Sequence, residues 1–398
     1  MILHLACLPF PSYQGTQAAI DAMLRASIES NRSAHLLVYS HGAYAPEARY
    51  PIHRIPDFPK VRSLRSGPSL GKLALDARCI AETRRLARTL QPDAIVAHHV
   101  EAALAALAAR VRPLYYVAHT CVHRELPVYL PTLPEEMVSA VAAPSEAFVC
   151  RQADGVAAVA PALAELLGNE AVYLPVPWRS ASSAEQPSRV RARDALDLPL
   201  DARICLYAGN LDRYQGWEHL PTALAILRST HPTASLLIAT ESDPTPARRE
   251  ARRWRVEDSV HFRGLDGERA RALVHAASDV AWVPRRTEGG LPIKMLDAFA
   301  RGLPVIAMER AKAGLSIDGA CVVVENDDPD ALAAAARRVI DDPRLAGSLR
   351  ERALRYLAAH HSRGAFASSI DALFSREARS EPKPAGRQQA ASPAPRAR

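Results

Sequence analysis

The side chains best suited to chemistry lie in the second half of the chain, between two apolar runs at residues 280–283 and 304–307. The first run is followed by two arginines, a glycine pair and then Lys294, with Asp297 three residues further on. Glycine lets a backbone approach a ligand closely, and free N–H groups at a helix start attract phosphate. A lysine can neutralise that phosphate, and an acid one helical turn later can accept hydrogen bonds from hydroxyl groups. The pattern is typical of a nucleotide diphosphate pocket, with a plain strand–loop–helix unit bearing solvated charges as the alternative.

The same stretch resembles the donor-nucleotide signature of the retaining glycosyltransferases of family 4, which belong to the GT-B superfamily. One subset of that family reads roughly P-x-R-x-x-x-G-x-x-x-K-x-L-E-A-x-A-x-G-x-P-V. The matching residues are Pro284, Arg286, Gly290, Lys294, Leu296, Ala298, Ala300, Gly302, Pro304 and Val305. Asp297 replaces the usual Glu. A match over this many positions is far more specific than a single glycine motif.

The resemblance implies donor-binding roles for Arg286, Gly290, Lys294 and Asp297, and a further role in catalysis for Lys294. Family members often carry two glutamates eight positions apart, the first near the donor sugar and the second on the ribose. Glu288 is assigned to the donor site on this basis, although it lies one position away from the expected spacing to Asp297.

A second glycine-bearing segment, residues 207–216, opens the second half of the chain. It resembles the family's G-R-x-x-x-x-K-G segment, whose arginine and lysine hold the donor phosphates. Gly209 matches, but Asn210 and Gln215 stand where the two cations are expected. The resemblance thus implies donor binding by Gly209 and Asn210, and we expect Arg213 to supply one of the missing charges. A solvated loop charge is the alternative for Arg213.

The loop at residues 9–17 joins the first predicted strand to the first predicted helix. Gly15 precedes the helix, so backbone N–H groups there could meet a diphosphate or an acceptor from the opposite wall of a cleft. The resemblance implies a glycine-bearing loop over the donor at this place, and Gln17 is assigned to the acceptor side. An ordinary strand-to-helix turn is the alternative, and the sequence has no G-x-G-x-x-G dinucleotide motif.

Polar residues also mark the ends of two further predicted strands. His98 ends one strand, with Glu101 just after it, and His119 ends the next. Strand-end residues face the ligand cleft in open α/β sheets, so we place His98 and Glu101 on the acceptor side. His119 matches a histidine that family members often carry near the donor sugar, which implies a catalytic role, with a structural histidine as the alternative. The spacing of histidines and acids over residues 98–125 fits no standard zinc pattern, so no metal site is predicted.

The overall composition excludes several classes of protein. At 398 residues the chain suits two domains, and its 48% hydrophobic content supports sizeable cores. The six cysteines are scattered without a C-x-x-C pair, as in a reducing compartment. Of the net charge of +7, residues 376–398 contribute +4 from six Arg or Lys and two Glu, so no nucleic-acid partner is expected. No segment is apolar enough to cross a membrane, and the apolar N-terminus is interpreted as a strand rather than a signal peptide.

Apolar runs and amphipathic patterns alternate along both halves of the chain, which predicts parallel sheets with helices on both faces. Strands are predicted at residues 2–8, 34–40, 94–98, 114–119, 156–158, 203–208, 235–240, 259–262, 280–283, 305–307 and 321–324. Helices are predicted at residues 17–30, 72–89, 101–110, 145–153, 218–228, 269–277, 293–300, 330–340, 345–359 and 365–375.

The domain boundary is predicted from a segment rich in Pro and Ser at residues 175–187. We place an N-terminal, acceptor-side domain at residues 1–180 and a C-terminal, nucleotide-sugar-binding domain at residues 181–375. The resemblance implies that the last helix packs back on the first domain. Residues 376–398 are predicted to be a disordered basic tail.

Together, the motifs and the resemblance predict a GT-B fold, in which two doubly wound, Rossmann-like domains face each other across a cleft. The resemblance implies a retaining glycosyltransferase that moves a sugar from a UDP- or GDP-linked donor to a lipid, glycan or small-molecule acceptor, without metal or other cofactor. The alternatives are a nucleotide-sugar epimerase of the same fold and a nucleotide-sugar-binding protein with weakened catalysis. We expect a cytoplasmic protein whose basic tail and basic residues 60–65 could attract an anionic inner membrane face, with a solvated tail that has no function as the alternative.

Overall fold

The computed structural model describes residues 1–12, 14–43, 49–57, 70–130, 132–168, 170–180, 186–287, 290–317 and 319–375. Glu288, the basic segment at residues 60–65 and the predicted tail at 376–398 lie outside these described residues. Within the described ranges, no helix combines the length and the apolar character that crossing a bilayer requires.

Seven parallel strands form the first sheet, in the order β3-β2-β1-β4-β5-β6-β7. The strands are β1 (Ile2–Ala6), β2 (Ala34–Val38), β3 (Ile52–Arg54), β4 (Ala94–His98), β5 (Leu114–Ala118), β6 (Gly155–Ala158) and β7 (Val172–Tyr173). The helices between them are α1 (Gly15–Glu29), α2 (Leu70–Leu90), α3 (His99–Ala109), α4 (Val122–Tyr129), α5 (Glu135–Gln152) and α6 (Pro161–Leu167). The central strands β1, β4 and β5 are buried along their whole length, as expected for parallel strands covered on both faces.

Six parallel strands form the second sheet, in the order β10-β9-β8-β11-β12-β13. They are β8 (Arg203–Ala208), β9 (Ala234–Ala239), β10 (Val260–Arg263), β11 (Val280–Val283), β12 (Val305–Met308) and β13 (Val322–Val324). The helices are α7 (Arg189–Ala195), α8 (Leu220–Arg228), α9 (Thr245–Arg253), α10 (Gly267–Ala277), α11 (Ile293–Ala300), α12 (Pro329–Asp341), α13 (Pro343–His360) and α14 (Arg363–Ser375). In both sheets the strand order reverses direction beside the first strand, which creates the crevice where ligands bind in this class of fold.

The predicted α/β architecture with two sheets is confirmed, and the errors fall on short or polar elements. Strand β7 has two residues, and α9 consists mostly of charged side chains, so neither gives a clear hydrophobic pattern. Helix α5 begins at Glu135, ten residues before the predicted start at residue 145. The prediction began too late because Pro144, a residue type that usually interrupts helices, lies inside this helix. The other elements that were not predicted are β3, α4, α6 and α7.

Two crossings of the chain between the sheets lie side by side. Residues 174–177 are buried, and the N–H of Trp178 donates to the carbonyl of His361, 2.8 Å away. The ring of His361 in turn has its Nδ1 2.8 Å from the carbonyl oxygen of Val176. Helix α14, which follows His361, packs on the first sheet, where Phe374 contacts Tyr115 at a ring-centre distance of 4.5 Å. The first part of the Pro- and Ser-rich segment is thus a packed crossing, and the boundary near residue 180 stays a prediction.

Candidate active site

A cleft with a cavity of about 320 Å³ lies where the carboxyl ends of strands from both sheets come together. It is lined by the loop after β1, by the ends of β4 and β5, by the turn after β8 and by the segment between β11 and α11. The predicted site residues that line it are Gly15, Gln17, His98, Glu101, His119, Gly209, Asn210, Gly290, Lys294 and Asp297. The structure therefore brings together residues that are far apart in the sequence, at the place where ligands bind in doubly wound sheets.

Two predicted donor-binding residues do not line this cavity. Arg213 is exposed on a short 3₁₀ turn. Arg286 is exposed and its Nε lies 3.3 Å from Oδ1 of Asp327. Its neighbour Arg285 lines the cavity instead. Consecutive side chains of the segment that leaves β11 point to different sides, so only one of the two arginines can face the cleft.

Lys294 lies partly buried on the cleft wall, in the first turn of α11. Its Nζ donates to Oε1 of Gln215 at 2.7 Å and lies 4.1 Å from the ring centre of Tyr207. Burial, followed by the positive charge of Arg285, lowers the pKa of Lys294 well below its usual range. An anionic ligand beside this amine would favour its charged form, so the site is suited to binding a phosphate.

Gly209 is needed beside Lys294 for two reasons. Its φ of +149° is one that side chains rarely adopt, and a Cβ at this position would lie 3.0 Å from Nζ of Lys294. Gln215 occupies the place of a lysine in the family pattern, and its amide oxygen accepts the hydrogen bond from Lys294. The substitution therefore replaces a second cation by a neutral acceptor that holds the first one.

Arg285 supplies a second positive charge near Lys294. It is 6% exposed, its Nε donates to the carbonyl of Thr287 at 2.9 Å, and its guanidinium lies 5.3 Å from the ring centre of Tyr214. A Cβ on Gly290 would come within 2.5 Å of Nη2, so the glycine makes room for the guanidinium. The family pattern selects Arg286, and no local feature of the sequence marks Arg285, which is why the inward-facing arginine was not predicted.

Asp297 lies one turn after Lys294, and its carboxylate is fixed by basic side chains of the second half of the chain. Its Oδ1 is 3.2 Å from Nε of Arg301, and its Oδ2 is 3.8 Å from Nε2 of His275. Burial would raise the pKa of Asp297, but the positive charges of His275, Arg301 and Arg271 outweigh it and keep the pKa below its usual range. The carboxylate is therefore ionised where it lines the cleft, in the form that accepts hydrogen bonds from hydroxyl groups.

We expect Asp297→Ala to weaken the binding of a nucleoside diphosphate by about tenfold, because one charge-assisted hydrogen bond is lost. It should also destabilise the fold by about 1–3 kcal/mol, because Arg301 loses one of its two carboxylate partners. Asp297→Glu restores the family's residue and should bind nucleotide at least as well as the wild type. Calorimetry gives the affinity and thermal unfolding gives the stability. Unchanged affinity in Asp297→Ala would remove this residue from the ribose site.

The acceptor-side wall is built on α1 and its preceding loop. Gln17 is 2% exposed, and its Nε2 donates to the carbonyl of Pro9 at 3.2 Å and to Oε1 of Gln14 at 3.3 Å. Gln17 therefore fixes the loop rather than reaching freely into the cleft. A Cβ on Gly15 would lie 3.3 Å from Ile293, so the N-terminal ends of α1 and α11 meet closely across the cleft.

His119 and His98 lie together at the ends of β5 and β4. His98 Nδ1 is 2.9 Å from His119 Nε2, and both rings are buried at the cleft wall. Burial lowers the pKa of each well below its usual range, with a further contribution from neighbouring histidines. Both are therefore neutral at physiological pH, and His98 contacts His119 as its hydrogen-bond partner.

Within the described residues, one group of three side chains has the spacing of possible metal ligands, Cys121, His123 and Glu146. Tyr116 donates its hydroxyl to Oε1 of Glu146 at 3.2 Å, and the Cys121 thiol donates to Oε2 at 3.6 Å. Burial, then the charge of Glu146, raises the pKa of Cys121 to about 12. Hydrogen bonds thus account for this group as a neutral thiol beside a satisfied carboxylate.

Family models match both halves of the chain. A model described as "Glycosyltransferase Family 4" matches residues 17–173, and one described as "Glycosyl transferases group 1" matches residues 202–342. The first match contains Gln17, His98 and His119, and the second contains Gly209, Lys294 and Asp297. The two matches therefore cover both walls of the cleft.

Curated relatives match shorter stretches. The chain is 35% identical over 154 residues to a glycogen synthase of Mycobacterium tuberculosis, which covers 38% of this chain and 36% of the relative. It is 28% identical over 180 residues to a D-inositol 3-phosphate glycosyltransferase of Streptomyces avermitilis, which covers 42% of this chain and 39% of the relative. The chain thus matches well under half of the length of these relatives.

Solved structures match nearly the whole chain. A sucrose-phosphate synthase from Thermosynechococcus elongatus has a TM-score of 0.76 at 18% identity and covers 94% of this chain and 98% of its own. The Anabaena protein HepE, solved in complex with UDP and glucose, has a TM-score of 0.72 at 17% identity and covers 94% of this chain and 99% of its own. At such low identity the likeness establishes the two-domain α/β fold. With the family matches to both halves, it shows that the chain belongs to the group 1 glycosyltransferases of the GT-B fold.

Proposed function

We propose that this protein transfers a sugar from a nucleotide-diphosphate sugar to a hydroxyl acceptor. The observation that carries the proposal is a pair of cationic side chains on one wall of the cleft beside two glycines, the partly buried Lys294 and the buried Arg285. Among the described residues no carboxylate is hydrogen-bonded to Lys294. Holding two cations together here is therefore costly without an anion, and a diphosphate offsets that cost. Relatives of the chain include a D-inositol 3-phosphate glycosyltransferase and a mannosyltransferase, whose names specify glycosyl transfer, and this supports the same reaction class here.

In the proposed complex the second domain holds the donor. Lys294 and Arg285 would contact the diphosphate, with the glycines at 209 and 290 allowing its close approach. Asp297 would accept hydrogen bonds from the ribose hydroxyls. The complexes of HepE with UDP and with UDP-glucose support a uridine donor, while a GDP-mannose-dependent mannosyltransferase among the relatives keeps a guanosine donor open.

We propose a retaining reaction, in which the acceptor attacks the face of the sugar that the leaving group departs from. The bond between C1 and the diphosphate oxygen breaks, and its electron pair stays on the nucleoside diphosphate. The acceptor hydroxyl oxygen bonds to C1, and its proton passes to the departing phosphate oxygen. Lys294 and Arg285 stabilise the charge that develops on that phosphate, which is the largest contribution expected from the protein.

Because side chains already place positive charge at the phosphate site, transfer should need no divalent metal. We expect the rate to be unchanged by EDTA and not to rise with added Mg²⁺ or Mn²⁺. Initial rates of nucleoside diphosphate release, measured with and without chelator, test this. Loss of activity in EDTA that either metal restores would contradict the metal-free mechanism.

The acceptor would lie against the first domain, between α1, α3 and α4. A lipid-linked acceptor is supported by a relative named as a phosphatidylinositol monomannoside mannosyltransferase. A row of exposed apolar side chains on and just before α5 adds to this support, because an apolar helix face can lie in a membrane interface. The row consists of Leu133, Met137, Val141 and Phe148. We therefore include membrane lipids among the acceptors to be tested.

The decisive experiment combines donor binding with turnover. Thermal shift against UDP- and GDP-linked sugars identifies the donor, and product analysis with lipid vesicles, glycans or small alcohols then identifies the acceptor. Transfer with retained anomeric configuration is the expected result. Binding without any turnover would favour a nucleotide-sugar-binding protein, a reading that the neutral Asn210 and Gln215 keep open. Conversion of the donor without an acceptor would favour an epimerase or hydrolase instead.

A further inference from the structure

Three buried histidines form a line from the middle of the first sheet to the cleft. His4 Nδ1 lies 3.0 Å from His98 Nε2, and His98 Nδ1 lies 2.9 Å from His119 Nε2. Strand register produces this line. Ala6 of β1 is paired with His98 of β4, and His98 is paired with Val117 of β5. Because side chains alternate between the faces, His4 and His119, each two residues from these partners, lie on the same face as His98.

We propose that His98 and His4 are positioning residues that hold His119 in a single tautomer, with its proton on Nδ1. In this arrangement His4 donates from Nδ1 to His98 Nε2, and His98 donates from Nδ1 to His119 Nε2. Each neutral imidazole has one donor and one acceptor nitrogen, so one proton order fixes all three rings. The nitrogen of His119 that is not bonded to His98 is then an N–H donor available to a ligand.

The charge state of the line follows from burial. His4, His98 and His119 are 1%, 0% and 4% exposed. Burial lowers the pKa of His4 to about 3, and it lowers the pKa values of the other two well below their usual range. The ring centre of His99 lies 5.0 Å from that of His119, and this neighbour lowers the pKa of His119 further. All three rings in the line are therefore neutral near pH 7, as the fixed proton order requires.

The direction of the proton order follows from the far end of the line. His4 Nε2 is buried and has no hydrogen-bond partner among the residues that the structure describes. In the opposite order this nitrogen would carry an N–H group without an acceptor, and orphaned buried N–H groups are rarer in proteins than under-satisfied acceptors. In the proposed order it carries only a lone pair. Breaking one of the two hydrogen bonds would instead leave further buried nitrogens unpaired, which costs more.

The role of His119 in transfer rests on the proposed function, whereas the position of the proton on its ring does not depend on that function. With Nε2 accepting from His98, His119 can donate from Nδ1 to an oxygen of the donor sugar or its phosphate. It cannot take a proton through that nitrogen, so it acts as a hydrogen-bond donor rather than a general base. His98 and His4 affect transfer only through this orientation of His119.

The proton position is tested directly by nitrogen-15 NMR of full-length protein labelled at histidine. The signals of His119 are assigned by their loss in His119→Asn, and the chemical shifts of its two nitrogens show which one is protonated. We expect Nδ1–H near pH 7. A proton on Nε2 of His119, or rapid exchange between both nitrogens, would overturn the proposal whether or not the protein transfers sugar.

A matched pair of variants tests the positioning role. The side-chain amide of Asn superposes on the Nδ1 position of histidine, so His98→Asn can still donate to His119. The amide of Gln reaches the Nε2 position instead, so His98→Gln loses that donor. We expect kcat/KM within about threefold of wild type for His98→Asn and a loss of about tenfold or more for His98→Gln, at matched thermal stability. The loss should fall mainly on kcat, and His119 in His98→Gln should show mixed tautomers.

Each result then has a distinct meaning. Equal activity of the two variants, with His119 still Nδ1-protonated in both, would overturn the role of His98. A wild type that shows the expected tautomer but never transfers sugar would overturn the proposed function and leave the proton order standing. Loss of the fixed tautomer in His4→Phe, which removes the far end of the line, would add support, and an unchanged tautomer would exclude His4 from the role.

Discussion

Replacing Lys294 by Met is expected to lower sugar transfer by about 30- to 1,000-fold, which corresponds to about 2–4 kcal/mol of lost transition-state stabilisation. Lys294 is partly buried, and its Nζ donates to the neutral oxygen of Gln215. Among the described residues its charge is matched by no carboxylate at hydrogen-bonding distance. A leaving diphosphate develops charge at this place during the reaction. Met keeps most of the volume of the side chain, so the packing against Tyr207 survives while the charge is removed.

Rates of nucleoside diphosphate release under saturating donor measure this effect. Lys312→Met is the matched control, because Lys312 lies on the same domain and its Nζ is 3.8 Å from Glu309. That variant should keep full activity. If the rate for Lys294→Met stayed within about threefold of the wild-type rate, Lys294 would not lie at the phosphate site. The proposal that α11 binds the phosphate would then be wrong.

Much of the cleft could be predicted from the sequence because its residues occupy fixed positions next to strands. Glycines such as Gly209, the lysine in the first turn of α11 and the histidines at strand ends are placed by local rules. Apolar runs fix the strands, and the parallel arrangement brings their carboxyl ends to one edge. The elements that failed, such as α9 and α5, are those whose local pattern is charged or contains an internal proline.

The remaining features depend on contacts that no local pattern encodes. Asp297 was expected to be a ribose ligand alone, but its carboxylate also lies 3.8 Å from Nε2 of His275 on the preceding helix α10. The line through His4 depends on the register of three strands that are separated by more than a hundred residues in total. The choice between two adjacent arginines depends on the direction in which the chain leaves β11.

That choice leads to the second large effect, since adjacent arginines should differ sharply when replaced. Arg285 is 6% exposed, lines the cleft and contacts the ring of Tyr214, whereas Arg286 is exposed and pairs with Asp327. We expect Arg285→Ala to weaken nucleoside diphosphate binding and to lower kcat/KM by about 100-fold. Arg286→Ala should change both by less than about threefold, because exposed ion pairs contribute little.

Calorimetry with the nucleoside diphosphate and initial transfer rates compare the two variants. Because Arg285 also packs against Tyr214, a loss of folding must be separated from a loss of binding. Arg285→Lys serves this purpose, since it keeps a charge but loses the planar group that can contact two phosphate oxygens at once. Thermal stability near wild type with reduced affinity in Arg285→Lys would assign the loss to phosphate recognition. If Arg286→Ala were instead the damaging change, the family pattern would be the better guide than the geometry, and the phosphate would have to lie on the other side of the segment after β11.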